Sequence, residues 1–174
     1  MNIQPLKQEE LIDEIGMFHQ ILNRTLSRFS GKTLNTVPFE GSWTAGQVVE
    51  HIIKSQLYIL TQLSEGPVST ADRPYDQEVN TIQEIFRNKE SKAKTDESIA
   101  PGPPPHDLKR LLDTLHKQKD QQIEIIKTRK LEEFNTILEF PGIGHVSRYE
   151  WIHMMTEHGQ RHRRQIENIY KKLY

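Results

Sequence analysis

Two histidines four residues apart, His158 and His162 in the run Glu157-His158-Gly159-Gln160-Arg161-His162, carry the clearest chemistry in this chain. On an α-helix, positions i and i+4 share one face, so both imidazoles point the same way and can grip one metal ion. A divalent ion takes at least one more protein ligand. His51, closing the run Trp43-Thr44-Ala45-Gly46-Gln47-Val48-Val49-Glu50-His51, stands in a second helical pattern and supplies a candidate. The chain has no cysteine, which removes disulfides, thiolate ligands and cysteine nucleophiles together, so a metal here must use nitrogen and oxygen. A three-histidine metal site at His51, His158 and His162 is the expectation. The competing reading makes them core histidines bonded to neighbouring polar groups, because an imidazole on an apolar stripe has two ring nitrogens to satisfy.

Two familiar metal patterns do not fit. The metalloprotease pattern H-E-x-x-H places a glutamate directly after its first histidine to act as general base, and here that position is Gly159. A glycine there suits close approach of another helix or a ligand to the backbone. A di-iron carboxylate bundle needs a glutamate three residues before a histidine, whereas Glu50 and Glu157 immediately precede His51 and His158. His19, His106, His116, His145 and His153 are expected at the surface. His153 points about 140° away from His158 on a 3.6-residue helix. His145 is the exception to watch, since a glycine-containing loop can fold over a site.

The ligands need helices to position them, and the periodicity supplies four. Leu11, Ile15, Phe18, Leu22, Leu26 and Phe29 trace one face of a first helix between about residues 6 and 29, with Gly31 suited to its C-terminal end. Thr44 and Gln47 form a capping box, with Trp43 and Val48 as a hydrophobic staple, for a second helix running to about Leu63. A short helical hint surrounds Ile82, Ile85 and Phe86. A polar, proline-rich tract from Asn88 to Pro105 follows; it is expected to be a mobile crossover able to cover or reshape a pocket mouth.

Leu108, Leu111, Leu112, Leu115, Ile123 and Ile126 mark a third helix from about His106 to Arg129, polar in its middle from Lys117 to Gln122. Thr136 to Phe140 reads as a short strand or extended arm. Ser147 and Glu150 make a second capping box for a last helix to about Tyr170, with Trp151, Met155, His158, His162, Ile166, Ile169 and Leu173 along its inner stripe. Four long helices with a long crossover between the second and third describe an all-α four-helix bundle, whose interior is a habitual place for metal sites.

The chain has 174 residues, 34% hydrophobic and 27% charged, which suits one domain spanning residues 1–174. A formal net charge of -1 gives no broad basic field for a phosphate backbone, so nucleic acid is not an expected partner. No apolar run approaches the roughly 20 residues needed to cross a bilayer, and the first residues lack a signal-peptide pattern, so no membrane partner and a cytoplasmic location are expected.

The patterns W-T-x-x-Q-x-x-x-H, opening the second helix, and H-x-x-x-H-x-x-Q-I, in the last, resemble the DinB-like superfamily, including its YfiT-type metal-dependent hydrolases. Trp43, Gln47, His51, His158, His162, Gln165 and Ile166 stand at the motif positions. The family is unrelated to the similarly named DNA polymerase. The resemblance implies a four-helix bundle with one divalent ion, often nickel or zinc, held by His51, His158 and His162, and frequently a homodimer. It also implies bacillithiol-transferase-like chemistry, with a low-molecular-weight thiol as co-substrate, for some members.

Three imidazoles on one ion leave a position for water or substrate. The expected function is therefore a metal-dependent thiol S-transferase or hydrolase acting on an electrophilic small molecule, with Gln47 and Gln165 as hydrogen-bond partners of the ligand histidines. The alternative is a non-catalytic, metal-stabilised bundle acting as a binding or stress-response module.

Overall fold

Leu11, Ile15, Phe18, Leu22, Leu26 and Phe29 are all buried, so the stripe read for the first helix is the face that meets the core. The computed structural model describes residues 4–88 and 96–174. In chain order the elements are α1 (Gln8–Leu26), the short α2 (Gly31–Leu34), α3 (Ala45–Glu65), β1 (Val68–Ser69), α4 (Val79–Arg87), α5 (Leu108–Thr128), β2 (Phe134–Asn135) and α6 (Arg148–Leu173). A 3-10 turn, Glu97–Ile99, stands before α5. β1 and β2 form one small antiparallel ribbon, and the rest of the architecture is helical.

Both expected capping boxes start their helices. The Thr44 hydroxyl accepts from the Gln47 backbone N–H at 3.1 Å while the Gln47 side chain accepts from Thr44 N–H at 3.1 Å. Ser147 and Glu150 do the same for α6. Each box satisfies two of the donors that a helix N-terminus otherwise leaves orphaned.

The apolar core is two clusters stacked along the bundle. One gathers Leu11 and Ile15 of α1, Leu60 and Leu63 of α3, Ile125 and Ile126 of α5, and Trp151, Ile152, Met154 and Met155 of α6. The other gathers Leu22 and Leu26, Val48 and Ile52, Leu111 and Leu115, and Ile166 and Ile169 of the same four helices. α1 and α6 therefore run one way, and α3 and α5 both run the other. Because α3 and α5 are parallel, the chain must travel back the length of the bundle between them. It does so through α4, which packs on α6, and then through the segment beginning at residue 96, whose 3-10 turn lies on α3.

Several expectations change. Gly31 opens α2, capped by Ser30, instead of closing α1. The short strand is Phe134–Asn135 rather than Thr136 to Phe140, because Asn135 Oδ1 accepts from the N–H groups of Ile137 and Leu138 and turns the chain there. Of the crossover expected to be mobile, residues 89–95 lie outside the described residues. From 96 onward the segment is tied to α3: Lys54 donates to the Ala100 carbonyl at 2.9 Å, Gln47 to the Gly102 carbonyl at 3.1 Å, and Gly102 N–H to Glu50 at 2.6 Å.

Gln118 and Gln122, in the polar middle read for the third helix, are buried between α5 and α3. They donate to the Ile53 carbonyl at 2.9 Å and to Gln56 Oε1 at 3.2 Å. His19 and His153 are buried too, at 3% and 5% exposure, whereas His145 is exposed. For His153 the reason is that α6 is buried at every position from Arg148 to Glu157, so pointing away from the histidine stripe there does not mean facing water.

Candidate metal centre

The three histidines meet in the layer between the two apolar clusters. α3 delivers His51 beside Ile52, and α6 delivers His158 and His162 between Met155 and Ile166. His51 Nε2 stands 3.3 Å from His158 Nε2, and His162 Nε2 stands 3.0 Å from the same atom. Among the described residues this is the one group of three or more metal-capable side chains whose ligand atoms all lie within 4.8 Å of one another. Trp43 packs its ring 5.3 Å from that of His51, and Phe86 stands edge-on to His158 at 5.6 Å, so aromatic groups wall the centre on two sides.

The outer ring nitrogens fix the tautomers. His51 Nδ1 lies 2.9 Å from the Ile99 carbonyl, which only accepts, so this nitrogen carries the proton. His162 Nδ1 lies 2.8 Å from Gln165 Oε1 and donates in the same way. His158 Nδ1 lies 3.4 Å from the Ser55 hydroxyl, whose own hydrogen goes to the Ile52 carbonyl at 2.8 Å, leaving the oxygen to accept. Each ring thus spends its proton outward and turns the Nε2 lone pair inward.

Three lone pairs converging with no hydrogen between them repel one another unless a cation stands among them. Two nitrogens about 2.1 Å from one ion at the tetrahedral angle are about 3.4 Å apart, close to the separations seen here. The donor set therefore fits a divalent ion.

Electrostatics favour the same protonation state. Burial pushes the His162 imidazole down to about 4, against the Gln165 hydrogen bond and aided by His51 and Arg161. Burial, then His162, His51 and Arg161, holds His158 well below its ordinary value, and burial lowers His51 against the pull of the Ile99 carbonyl. All three rings are neutral at physiological pH, as metal ligands must be.

The neighbouring glutamates are engaged elsewhere. Glu50 accepts from His106 Nε2 at 2.9 Å and from Gly102 N–H; Glu157 accepts from Arg87 at 2.6 and 3.2 Å. Gln47, expected beside His51, instead spends its side chain on the Thr44 cap and the Gly102 carbonyl, and the Ile99 carbonyl holds the His51 ring. Gln165 does stand on His162. Ser55 was legible in principle, because it lies one turn beyond His51 on the same face of α3. Ile99 was not, since a backbone acceptor has no residue-type signature.

Beside His158 a cleft of about 180 Å³ is lined by Ser55, Gln56, Ile59, Ile99, Met154 and Met155. It is apolar apart from the Ser55 hydroxyl and the Gln56 amide, whose Nε2 is buried without a hydrogen-bond partner.

A helical bundle with an inward-facing trio of histidines on two helices defines the class, and comparison with known proteins gives the family. The family model described as the DinB superfamily matches residues 17–166, and the chain belongs to that superfamily. It is 25% identical over 154 residues to YuaE of Bacillus subtilis (strain 168), an uncharacterized protein, covering 85% of this chain and 90% of that one. It is 26% identical over 171 residues to a protein of Bacillus cereus that is named, provisionally, a metal-dependent hydrolase, covering 95% and 88% of the two chains. Among solved structures it superposes on YfiT from Bacillus subtilis, described as a probable metal-dependent hydrolase with an unusual four-helix bundle topology. The TM-score is 0.66 at 15% identity, over 99% of this chain and 90% of that one, which establishes a shared fold.

Proposed function

We propose that this chain is a metal-dependent enzyme in which His51, His158 and His162 hold one divalent ion, nickel or zinc, for transfer of a low-molecular-weight thiol to, or hydrolysis of, an electrophilic small molecule. The observation that carries the reading is the convergence of three unprotonated Nε2 atoms beside an open cleft, because a purely structural site closes its fourth position with protein. Borderline nickel and zinc suit an all-imidazole set. A divalent ion in this cradle supplies Lewis acidity, which lowers the pKa of a thiol or water near it.

The chain's own residues do the rest. The Ile99 carbonyl, Ser55 and Gln165 keep the three rings in the inward-facing tautomer. Met154, Met155, Ile59 and Ile99 line the cleft with apolar surface that sheds water and accepts an apolar substrate body.

A thiol is the favoured nucleophile. Among the described residues no carboxylate lines the cleft, and Glu50 and Glu157 are held by His106 and Arg87, so activation of water would find no adjacent carboxylate base among them. A thiol would need no such base: the ion that His51, His158 and His162 would hold would supply enough Lewis acidity to favour the thiolate, its proton passing to solvent.

The test incubates nickel- or zinc-loaded protein with a low-molecular-weight thiol and an alkylating electrophile, and separately with ester and amide substrates. Thiol conjugation that disappears in His162→Ala, with the metal-free melting temperature little changed, supports the reading. Loaded protein inert toward both sets, or full activity in His162→Ala, counts against it.

A further inference from the structure

Gly46, Glu50 and Lys54 stand four residues apart on α3 and so form one stripe along the helix. The chain that returns over this stripe, from Ile99 to His106, is fastened to it. Lys54 Nζ donates to the Ala100 carbonyl at 2.9 Å. Glu50 Oε2 accepts from the Gly102 N–H at 2.6 Å and from His106 Nε2 at 2.9 Å. Gly46 makes room for the His106 ring, since a Cβ there would meet His106 Cβ at 2.9 Å. Asn35, at the end of α2, accepts from His106 N–H at 2.6 Å and donates to its carbonyl at 2.9 Å, which anchors the far end of the segment.

The near end of the same segment belongs to the metal centre. The Ile99 carbonyl lies 2.9 Å from His51 Nδ1, and Ile99 also lines the cleft beside His158. Pro101, Pro103, Pro104 and Pro105 stiffen the backbone between the two ends, because each pyrrolidine ring locks its φ. A stiff segment transmits position, so the place where Gly102 is held decides where the Ile99 carbonyl stands.

Glu50 grips the segment at two residues, whereas Gln47 and Lys54 hold one carbonyl each. Both of its bonds end on a carboxylate, the stronger kind of hydrogen bond. We infer that Glu50 is a positioning residue for the metal centre: by clamping Gly102 and His106 it seats the proline-rich segment on α3, and that seat sets the Ile99 carbonyl against His51 and keeps Ile99 in the cleft wall. The inference rests on the reading of His51, His158 and His162 as ligands of one divalent ion.

A clamp and a mere negative charge beside a cation make opposite demands on substitution. Glu50→Gln keeps an acceptor oxygen at the same reach and loses the charge. Glu50→Asp keeps the charge and loses one methylene of reach. His106→Ala breaks the clamp from the segment's side and leaves α3 untouched.

The experiment measures zinc affinity of the full chain by competition with a chromophoric chelator, for the native protein and these three variants. Glu50→Gln should retain most of the affinity, Glu50→Asp should lose about tenfold or more, and His106→Ala should weaken binding in the same direction. In zinc-loaded protein the His51 Nδ1–H resonance, held downfield and slow to exchange by the Ile99 carbonyl, should move upfield and exchange faster in Glu50→Asp and His106→Ala. The His162 Nδ1–H resonance, whose acceptor Gln165 lies on α6, should stay in place, whereas a general loosening of the bundle would move both. Affinity in Glu50→Asp equal to or above that of Glu50→Gln, or a His51 resonance unchanged in every variant, would overturn the inference while native zinc binding stands. A native chain that takes up no zinc would instead overturn the reading of the site, and this inference with it.

Discussion

The ring of Phe18 on α1 occupies the space in which any side chain at position 159 of α6 would begin. A Cβ on Gly159 would meet three carbons of that ring, two of them at 2.9 and 3.1 Å and the third closer still. This is the position at which a zinc peptidase carries its general-base glutamate, one residue after the first histidine of the pair. Close packing of α1 on α6 therefore forbids that chemistry sterically, and it fixes the register in which His158 faces α3.

Gly159→Ala should accordingly destabilise the protein by about 1–3 kcal/mol, because the bundle has no room for the added methyl group. Phe18→Leu on the same background should recover part of the loss, an interaction that a double-mutant cycle in urea denaturation measures directly. Additive losses would show that the two residues do not compete for this space.

Gln165→Leu removes the acceptor that holds the His162 ring while leaving the ligand itself in place. Metal affinity should fall about 10–100-fold with the fold retained, as is usual when the partner of a ligand histidine is lost. Competition with a chromophoric chelator reads the affinity, and unchanged affinity would remove Gln165 from the centre.

Arg73→Ala should be among the most damaging substitutions outside the centre. Glu150 has no exposed surface and accepts two 2.8 Å bonds from Arg73, besides those from Glu78 and Ser147 N–H. Removing the guanidinium leaves a buried carboxylate without its cation, a change that costs about 3–5 kcal/mol. Thermal melting should show it, and a loss under about 1 kcal/mol would mean that the backbone donors suffice.

The helices were legible because Leu11 through Phe29 and Trp151 through Ile169 repeat at helical spacing and because Thr44, Gln47, Ser147 and Glu150 announce their starts. The convergence of His158 and His162 followed from their spacing, and His51 joins them because α3 and α6 pack together. What escaped were contacts made by the backbone and by buried polar groups. The Ile99 carbonyl reaches His51 only because the crossover folds back over α3, and Gln118 and Gln122 look like surface residues until α3 supplies the acceptors that satisfy them. His19 and His153 were misplaced for a related reason: periodicity identifies one apolar stripe and is silent about neighbours that cover the rest of a helix.

Those two histidines give the metal-free protein a defined acid limit. Burial, with Lys119 and His116, lowers His19 to about 4 against Asp120, and burial alone lowers His153 to about 4, from an unfolded value of about 6.5. Between these values the unfolded chain binds protons that the native state refuses, so stability rises with pH there. The contribution is fully present above about pH 6.5 and is lost as pH falls from there toward about 4. Denaturant midpoints across this window should drop on acidification. Replacing His19 and His153 with residues that do not titrate should flatten the drop, and an unchanged pH slope would contradict the assignment.

The central claim is that His51, His158 and His162 hold one divalent ion, and elemental analysis of protein purified without chelator tests it most directly. The native chain should carry about one nickel or zinc per molecule, and His51→Ala, His158→Ala and His162→Ala should each lose it while remaining helical. A native protein that carries no ion and takes up none from added nickel or zinc would contradict the account.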